Sequence, residues 1–138
     1  MPASTLPRRR LWAFAPPAVT TAVVVSLSLG NALQLRPELF DFSGADKLHH
    51  LLAYGCLGVL WSAAIWYVGH VPDPGARPRA GWPVWGALFA LGATMEVFQW
   101  RFYPGRYFEL ADMLANGIGA ALGVFGFGLL LRTFPPKT

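Results

Sequence analysis

Four long apolar runs account for most of this chain, and short polar or Pro/Gly-rich breaks separate them. A helix that crosses about 30 Å of hydrocarbon needs about 20 predominantly apolar residues. Residues 11–35 (apolar centre 19–29), 50–68, 82–100 and 112–131 each supply such a stretch. Pro72, Pro74, Gly75 and Pro78 break the chain between the second and third runs, and Pro104-Gly105 between the third and fourth. Pro16-Pro17 suits a first turn or a kink, because proline lacks the amide proton that a helix interior uses. Connections this short force neighbouring helices to run antiparallel. The pattern predicts an all-α membrane protein, a four-transmembrane-helix up-down bundle. A basic tail (1–10) precedes the four-helix domain (11–131), and a short tail (132–138) follows it.

Composition sharpens this picture. The chain is 54% hydrophobic and only 13% charged, against roughly 25% charged in a soluble domain. Too little charge is available to cover a water-facing surface. At 138 residues there is room for one compact unit. Cys56 is the single cysteine and lies inside an apolar run, so an intramolecular disulfide is excluded.

The formal net charge of +4 reads as membrane topology rather than nucleic-acid binding, because the basic residues flank apolar runs. With the N-terminus in the cytoplasm, that side holds Arg8, Arg9, Arg10, Arg77, Arg79, Arg132 and Lys137. The opposite side holds Arg36, Lys47, Arg101 and Arg106. This excess predicts both termini inside. Arg8–Arg10 ahead of an apolar run also resembles the start of a cleaved signal peptide. The length of the run and the weak Gly30-Asn31-Ala32 cleavage site favour a retained anchor.

The acidic residues are distributed unevenly. Only Asp73 lies in the inner loop, whereas Glu38, Asp41, Asp46, Glu96, Glu109 and Asp112 lie on or near the outer side. Asp46, His50 and Tyr54 recur every four residues and share a helical face, with Lys47 one turn from His50. A carboxylate beside a histidine raises its basicity and orients its ring, as in general-base pairs. The plainer alternative has Asp46 capping the helix and His50 anchoring at the interface.

Glu96 and Gln99 sit one turn apart near the end of the third run. A carboxylate there is costly against lipid and is expected inside the bundle, paired with Arg106, Lys47 or His50 or carrying a proton. Asp112, Asn116, Gly119 and Gly123 share a face of the fourth run. The two glycines suit close helix packing, Asn116 an interhelical hydrogen bond, and Asp112 a cap or a member of the polar layer.

As a set, Asp46-Lys47-x-x-His50-x-x-x-Tyr54, Glu96-x-x-Gln99, Pro104-x-Arg106 and Asp112-x-x-x-Asn116-x-x-Gly119 resemble the VanZ-like family of small bacterial membrane proteins. The similarity covers the second to fourth runs. Glu109 departs from it, since relatives often have serine or aspartate there. The resemblance implies a multi-pass protein of the bacterial inner membrane and cell envelope. It also implies a link to glycopeptide (teicoplanin-type) resistance, but no established reaction.

Two functional expectations stand side by side. In the first, an outer-leaflet polar pocket binds an anionic lipid or a polyprenyl- or otherwise lipid-linked precursor. Lys47 and Arg106 contact its phosphate there, and Tyr54, Gln99, Asp112 and Asn116 complete the pocket. In the second, the chain is an intramembrane hydrolase or transferase. His50 with Asp46 is then the base, Glu96 a general acid or second base, and Arg106 the stabiliser of developing negative charge. No nucleophile elbow or zinc-protease motif is present. No cofactor is implied. His50 (or His49), Glu96 and Asp112 are residue types that bind divalent ions, but no ligand spacing marks a metal site. Transport is disfavoured because the polar residues gather at one end, and the bilayer is the expected partner, not nucleic acid.

Overall fold

A computed structural model describes residues 11–32, 44–69 and 77–134. Arg8–Arg10, Arg36, Glu38, Asp41, Asp73 and Lys137 lie outside these residues, as does the break at Pro72, Pro74 and Gly75. After a short 3-10 turn (Trp12–Phe14) come four long helices: α1 (Ala15–Ala32), α2 (Ala45–Gly69), α3 (Arg77–Phe102) and α4 (Leu110–Thr133). The helices α2 and α3 each begin five residues before the apolar pattern does. Asp46 and Lys47 therefore belong to the first turn of α2. Pro78 falls in the first turn of α3 rather than in a break, at a position where the missing amide proton costs no intrahelical bond. Pro16 and Pro17 likewise fill the first turn of α1.

Side-chain pairings fix the directions. Lys47 with Asp112, His50 with Asn116 and Gly58 with Val124 make α2 and α4 parallel neighbours. Glu96 with Glu109 at one end and Gly81 with Val124 at the other make α3 antiparallel to α4. On α1, Trp61 Nε1 donates to Thr21 Oγ1 (3.1 Å) and Gln99 Nε2 to the Ser28 carbonyl (2.8 Å). The up-down-up-down order follows from these contacts.

The closest approach is between α2 and α4. Gly119 and Gly123 bring α4 against the backbone carbonyls of Leu51 and Gly55. A Cβ built on Gly58 would lie 2.8 Å from the Ala120 carbonyl oxygen. This is the small-xxx-small packing of membrane helices, in which contact replaces the hydrophobic effect as the driving term.

Burial is inverted relative to a water-soluble bundle. On α4 the buried residues are Asp112, Ala115, Asn116, Gly117, Gly119, Ala120, Gly123 and Val124, whereas Leu114, Ile118, Leu122 and Leu129 face outward. Val19, Val23 and Leu27 form a similar outward stripe on α1. Large aliphatic faces of this kind demand an apolar solvent. Among the described residues, three helices are long and apolar enough to cross a membrane: Trp12–Gly30, Ala45–Gly69 and Leu110–Thr133. The helix α3 has the length, but Trp82, Pro83, Trp85, Glu96 and Gln99 make it less apolar than the others.

Candidate functional site

Helices α2 and α4 both begin, and α1 and α3 both end, at the same end of the bundle, so sequence-distant polar residues meet there. Lys47, in the first turn of α2, is the hub. Its Nζ lies 2.6 Å from Asp46 Oδ2, 2.9 Å from Glu109 Oε2 and 3.2 Å from Asp112 Oδ1. Asp46 and Glu109 are about half exposed, and the Asp112 side chain is 7% exposed. Asp46 and Asp112 sit in the first turns of their helices, where the positive end of the helix dipole offsets their charge.

The expected Asp46–His50 pair does not form, because the Asp46 carboxylate turns to Lys47. The carboxylate nearest His50 is Asp112, with Oδ2 3.8 Å from Nε2. Asn116 orients the ring instead: its Oδ1 lies 3.0 Å from His50 Nδ1. An amide oxygen cannot donate, so with this amide orientation the contact is a hydrogen bond when Nδ1 carries a proton. Asn116 is 2% exposed and needs space on α3. Gly92 supplies it, since a Cβ there would lie 2.9 Å from the Asn116 amide nitrogen.

Glu96 is 4% exposed, as its cost against lipid requires, but its partner is none of the three cations expected. Its Oε1 accepts the backbone N–H of Glu109 at 2.9 Å. Glu109 is the N-cap residue of α4 and makes no side-chain cap bond. The buried carboxylate of α3 thus takes an orphan donor at the positive end of α4. Asp112, expected as a cap, lies within the first turn of the helix, and Glu109 holds the cap position.

Other expected residues have separate places. Gln99 ties α3 to α1 through Ser28. Tyr54 belongs to the apolar core with Leu57, Leu88, Ala120 and Val124 rather than to the polar cluster. Arg106 lies in the 103–109 connection, where Gly105 adopts φ +83° and the Arg106 N–H donates to the Tyr103 carbonyl (3.3 Å). Among the described residues no carboxylate pairs with its guanidinium.

Glu109 joins the site although the sequence pattern did not single it out. Its spacing of three residues before Asp112, at the entry to the fourth apolar run, was the available signal. Asp46, Glu109 and Asp112 place their oxygens within 4.8 Å of one another, close enough to share a cation, and the Lys47 ammonium is the cation they hold. Glu96 and His50 are not part of that trio.

Comparison with curated proteins and with solved structures gives no match. A family model described as VanZ/LLP1 matches residues 7–131, which contain all four helices apart from the last turn of α4 and include every residue of the polar cluster. The chain belongs to the VanZ/LLP1 family.

Proposed function

We propose that this chain is a multi-pass protein of a bacterial inner membrane, crossing it four times with both termini in the cytoplasm. Its polar end would then face the outer leaflet and bind the phosphate-bearing head group of a lipid or lipid-linked precursor. Four spans are supported by α3 packing along α4 from Gly81 to Glu96, so that a membrane crossed by one is crossed by both. The orientation rests on the seven Lys and Arg residues at the inner end against four at the outer.

One observation carries the binding reading: two helix N-termini, Lys47 and Arg106 gather at a single end of an otherwise apolar bundle. Helix N-termini favour anions. Arg106 has no carboxylate partner among the described residues, and Lys47, with a side chain 38% exposed, can exchange an exposed carboxylate for a phosphate oxygen. Asp112 and Asn116 hold the hub and the His50 ring in place from beneath.

The test is titration of farnesyl phosphate, a phosphate on a short isoprenoid chain, into the protein in zwitterionic nanodiscs. Charged hydrogen bonds are worth about 1.5–3 kcal/mol, so Arg106→Ala or Lys47→Ala should weaken binding by about tenfold or more. Salt screens these contacts, so the gap between wild type and variants should narrow as salt rises. Equal binding by wild type and both variants at low salt sinks the reading. A role in glycopeptide resistance adds a cellular expectation: expression raises teicoplanin tolerance in a sensitive host, and Arg106→Ala removes the gain.

The geometry of His50 favours a second reading, an intramembrane hydrolase or transferase. Its Nδ1 is tied to Asn116 and Asp112 Oδ2 lies 3.8 Å from its Nε2, a histidine–carboxylate pair of the kind general bases use. Under this reading His50→Gln abolishes turnover of a lipid phosphate ester without loss of binding. Retained turnover in that variant rules it out.

A further inference from the structure

Below the polar end the bundle is not uniformly packed. A cavity of about 380 Å³ opens between α1, α2 and α3, lined by Thr21, Trp61, Ile65, Val84, Ala87 and Leu91 among others. Its two polar side chains are already satisfied within the wall. Thr21 Oγ1 donates to the Pro17 carbonyl (2.7 Å) and accepts from Trp61 Nε1 (3.1 Å). No free donor or acceptor remains for a polar ligand, and apolar cavities stay dry. The volume is more than twice the roughly 150 Å³ that accommodates benzene in an engineered core. The occupant is therefore hydrocarbon.

Its position says which hydrocarbon. The groove runs along α3 from Pro83 to Leu91, and Glu96 lies farther along the same helix. Pro83 and Glu96 are thirteen residues apart, about 20 Å along a helix at about 1.5 Å per residue. One leaflet offers about 15 Å of hydrocarbon. A chain that begins in the polar layer and fills the groove must pass the bilayer midplane, which the tail of a single-leaflet diacyl lipid does not need to do. The same two helices, α1 and α3, are joined at the polar end by the Gln99–Ser28 bond.

We infer that the α1/α2/α3 groove seats the long isoprenoid chain of a polyprenyl-linked phosphate whose head group lies among Lys47, Arg106 and the α4 N-terminus. This rests on the head-group reading and deepens it by naming the lipid class. Lipid tails are as apolar as the groove, so selectivity comes from packing into a preformed cavity and not from transfer out of water. Thr21 and Trp61, locked to each other, hold the wall open. Ala87 is exposed toward the groove and leaves room where a larger residue would fill it.

The experiment compares undecaprenyl phosphate with farnesyl phosphate at equal mole fraction in zwitterionic nanodiscs; the two share a head group and differ in chain length. The wild-type protein should hold the long chain about tenfold tighter. Ala87→Trp, which fills the groove, should level the two affinities, and Ala87→Leu should give an intermediate ratio, with thermal melting reporting that each variant is folded. Equal affinity of the wild type for both probes, with Arg106→Ala still weakening them, overturns the groove and leaves the head-group reading standing. Binding of neither probe overturns both. Dioleoyl phosphatidate bound as tightly as undecaprenyl phosphate overturns the isoprenoid assignment. Unchanged long-chain preference in a folded Ala87→Trp also removes the groove from the site.

Discussion

Replacing Gly119 with alanine tests the packing that builds the site. The added Cβ would meet the Leu51 carbonyl oxygen and would lie 2.9 Å from both the Leu51 carbonyl carbon and its Cα. Ordinary carbon contacts are about 3.5–4.0 Å, and backbone atoms cannot swing aside as a side-chain tip can. Relief requires α2 and α4 to part by on the order of 1 Å. Overpacking of this kind costs about 1–3 kcal/mol, occasionally more. The same two helices carry the Lys47–Asp112 contact at 3.2 Å and the His50–Asn116 bond at 3.0 Å. Parting them should therefore weaken head-group binding along with stability.

Gly126 is the control. It lies on the same helix with nothing within 4 Å of an added Cβ, so Gly126→Ala should gain about 0.5–1 kcal/mol from helix propensity alone. The assay is reversible unfolding in mixed micelles by increasing sodium dodecyl sulfate, followed by circular dichroism, with farnesyl phosphate binding measured on the same preparations. The two substitutions should move stability in opposite directions. If Gly119→Ala instead tracks Gly126→Ala in both assays, α2 and α4 do not meet as described and the geometry of the polar cluster falls with them.

Further expectations concern single contacts. Asn116→Leu removes the acceptor of the His50 Nδ1–H, which should cost about 1–3 kcal/mol and release the ring tautomer; nitrogen-15 NMR of the histidines should show the Nδ1–H form in wild type and a mixture in the variant. Glu96→Gln retains an oxygen for the Glu109 N–H and should melt near wild type, whereas Glu96→Ala leaves that donor without its acceptor and should lose about 1–3 kcal/mol; equal melting of the two would show that the bond contributes nothing. Lys47→Ala removes the ammonium from among Asp46, Glu109 and Asp112, whose oxygens lie within 4.8 Å of one another. Millimolar calcium should then raise the melting temperature of the variant and leave the wild type unmoved, and an equal response from both would mean that the lysine does not occupy that place.

The cluster has a physical logic beyond any ligand. Asp46, Glu109 and Asp112 surround one lysine at the start of two helices, where dipoles and the ammonium together offset the carboxylate charge. Glu96 is held by a backbone amide instead of a cation, so it consumes neither Lys47 nor Arg106. Among the described residues, that division leaves Arg106 without a carboxylate partner.

Much of this protein was determined locally. Runs of about 20 apolar residues can satisfy their backbone bonds in lipid only as helices, so the helical class follows from hydropathy, as does the burial of Glu96, Asp112 and Asn116 from the cost of polar groups in hydrocarbon. Spacing of four also placed His50 and Asn116 on interior faces of α2 and α4. Partner choice was a different matter, because it depends on how helices rotate and approach one another. Local spacing joined Asp46 to His50, but the descent of α4 against α2 through Gly119 and Gly123 brought Asp112 and Asn116 to that histidine. Glu96 was expected beside a cation or carrying a proton, and it met a helix N-terminus, since the turn at Gly105 returns the chain directly over it. Glu109 and Gly92 gained their roles only in the assembled bundle. A charge or a gap acquires a function from what packs opposite it, and in a membrane bundle that is set by close interhelical contact, which one helix's own sequence does not contain.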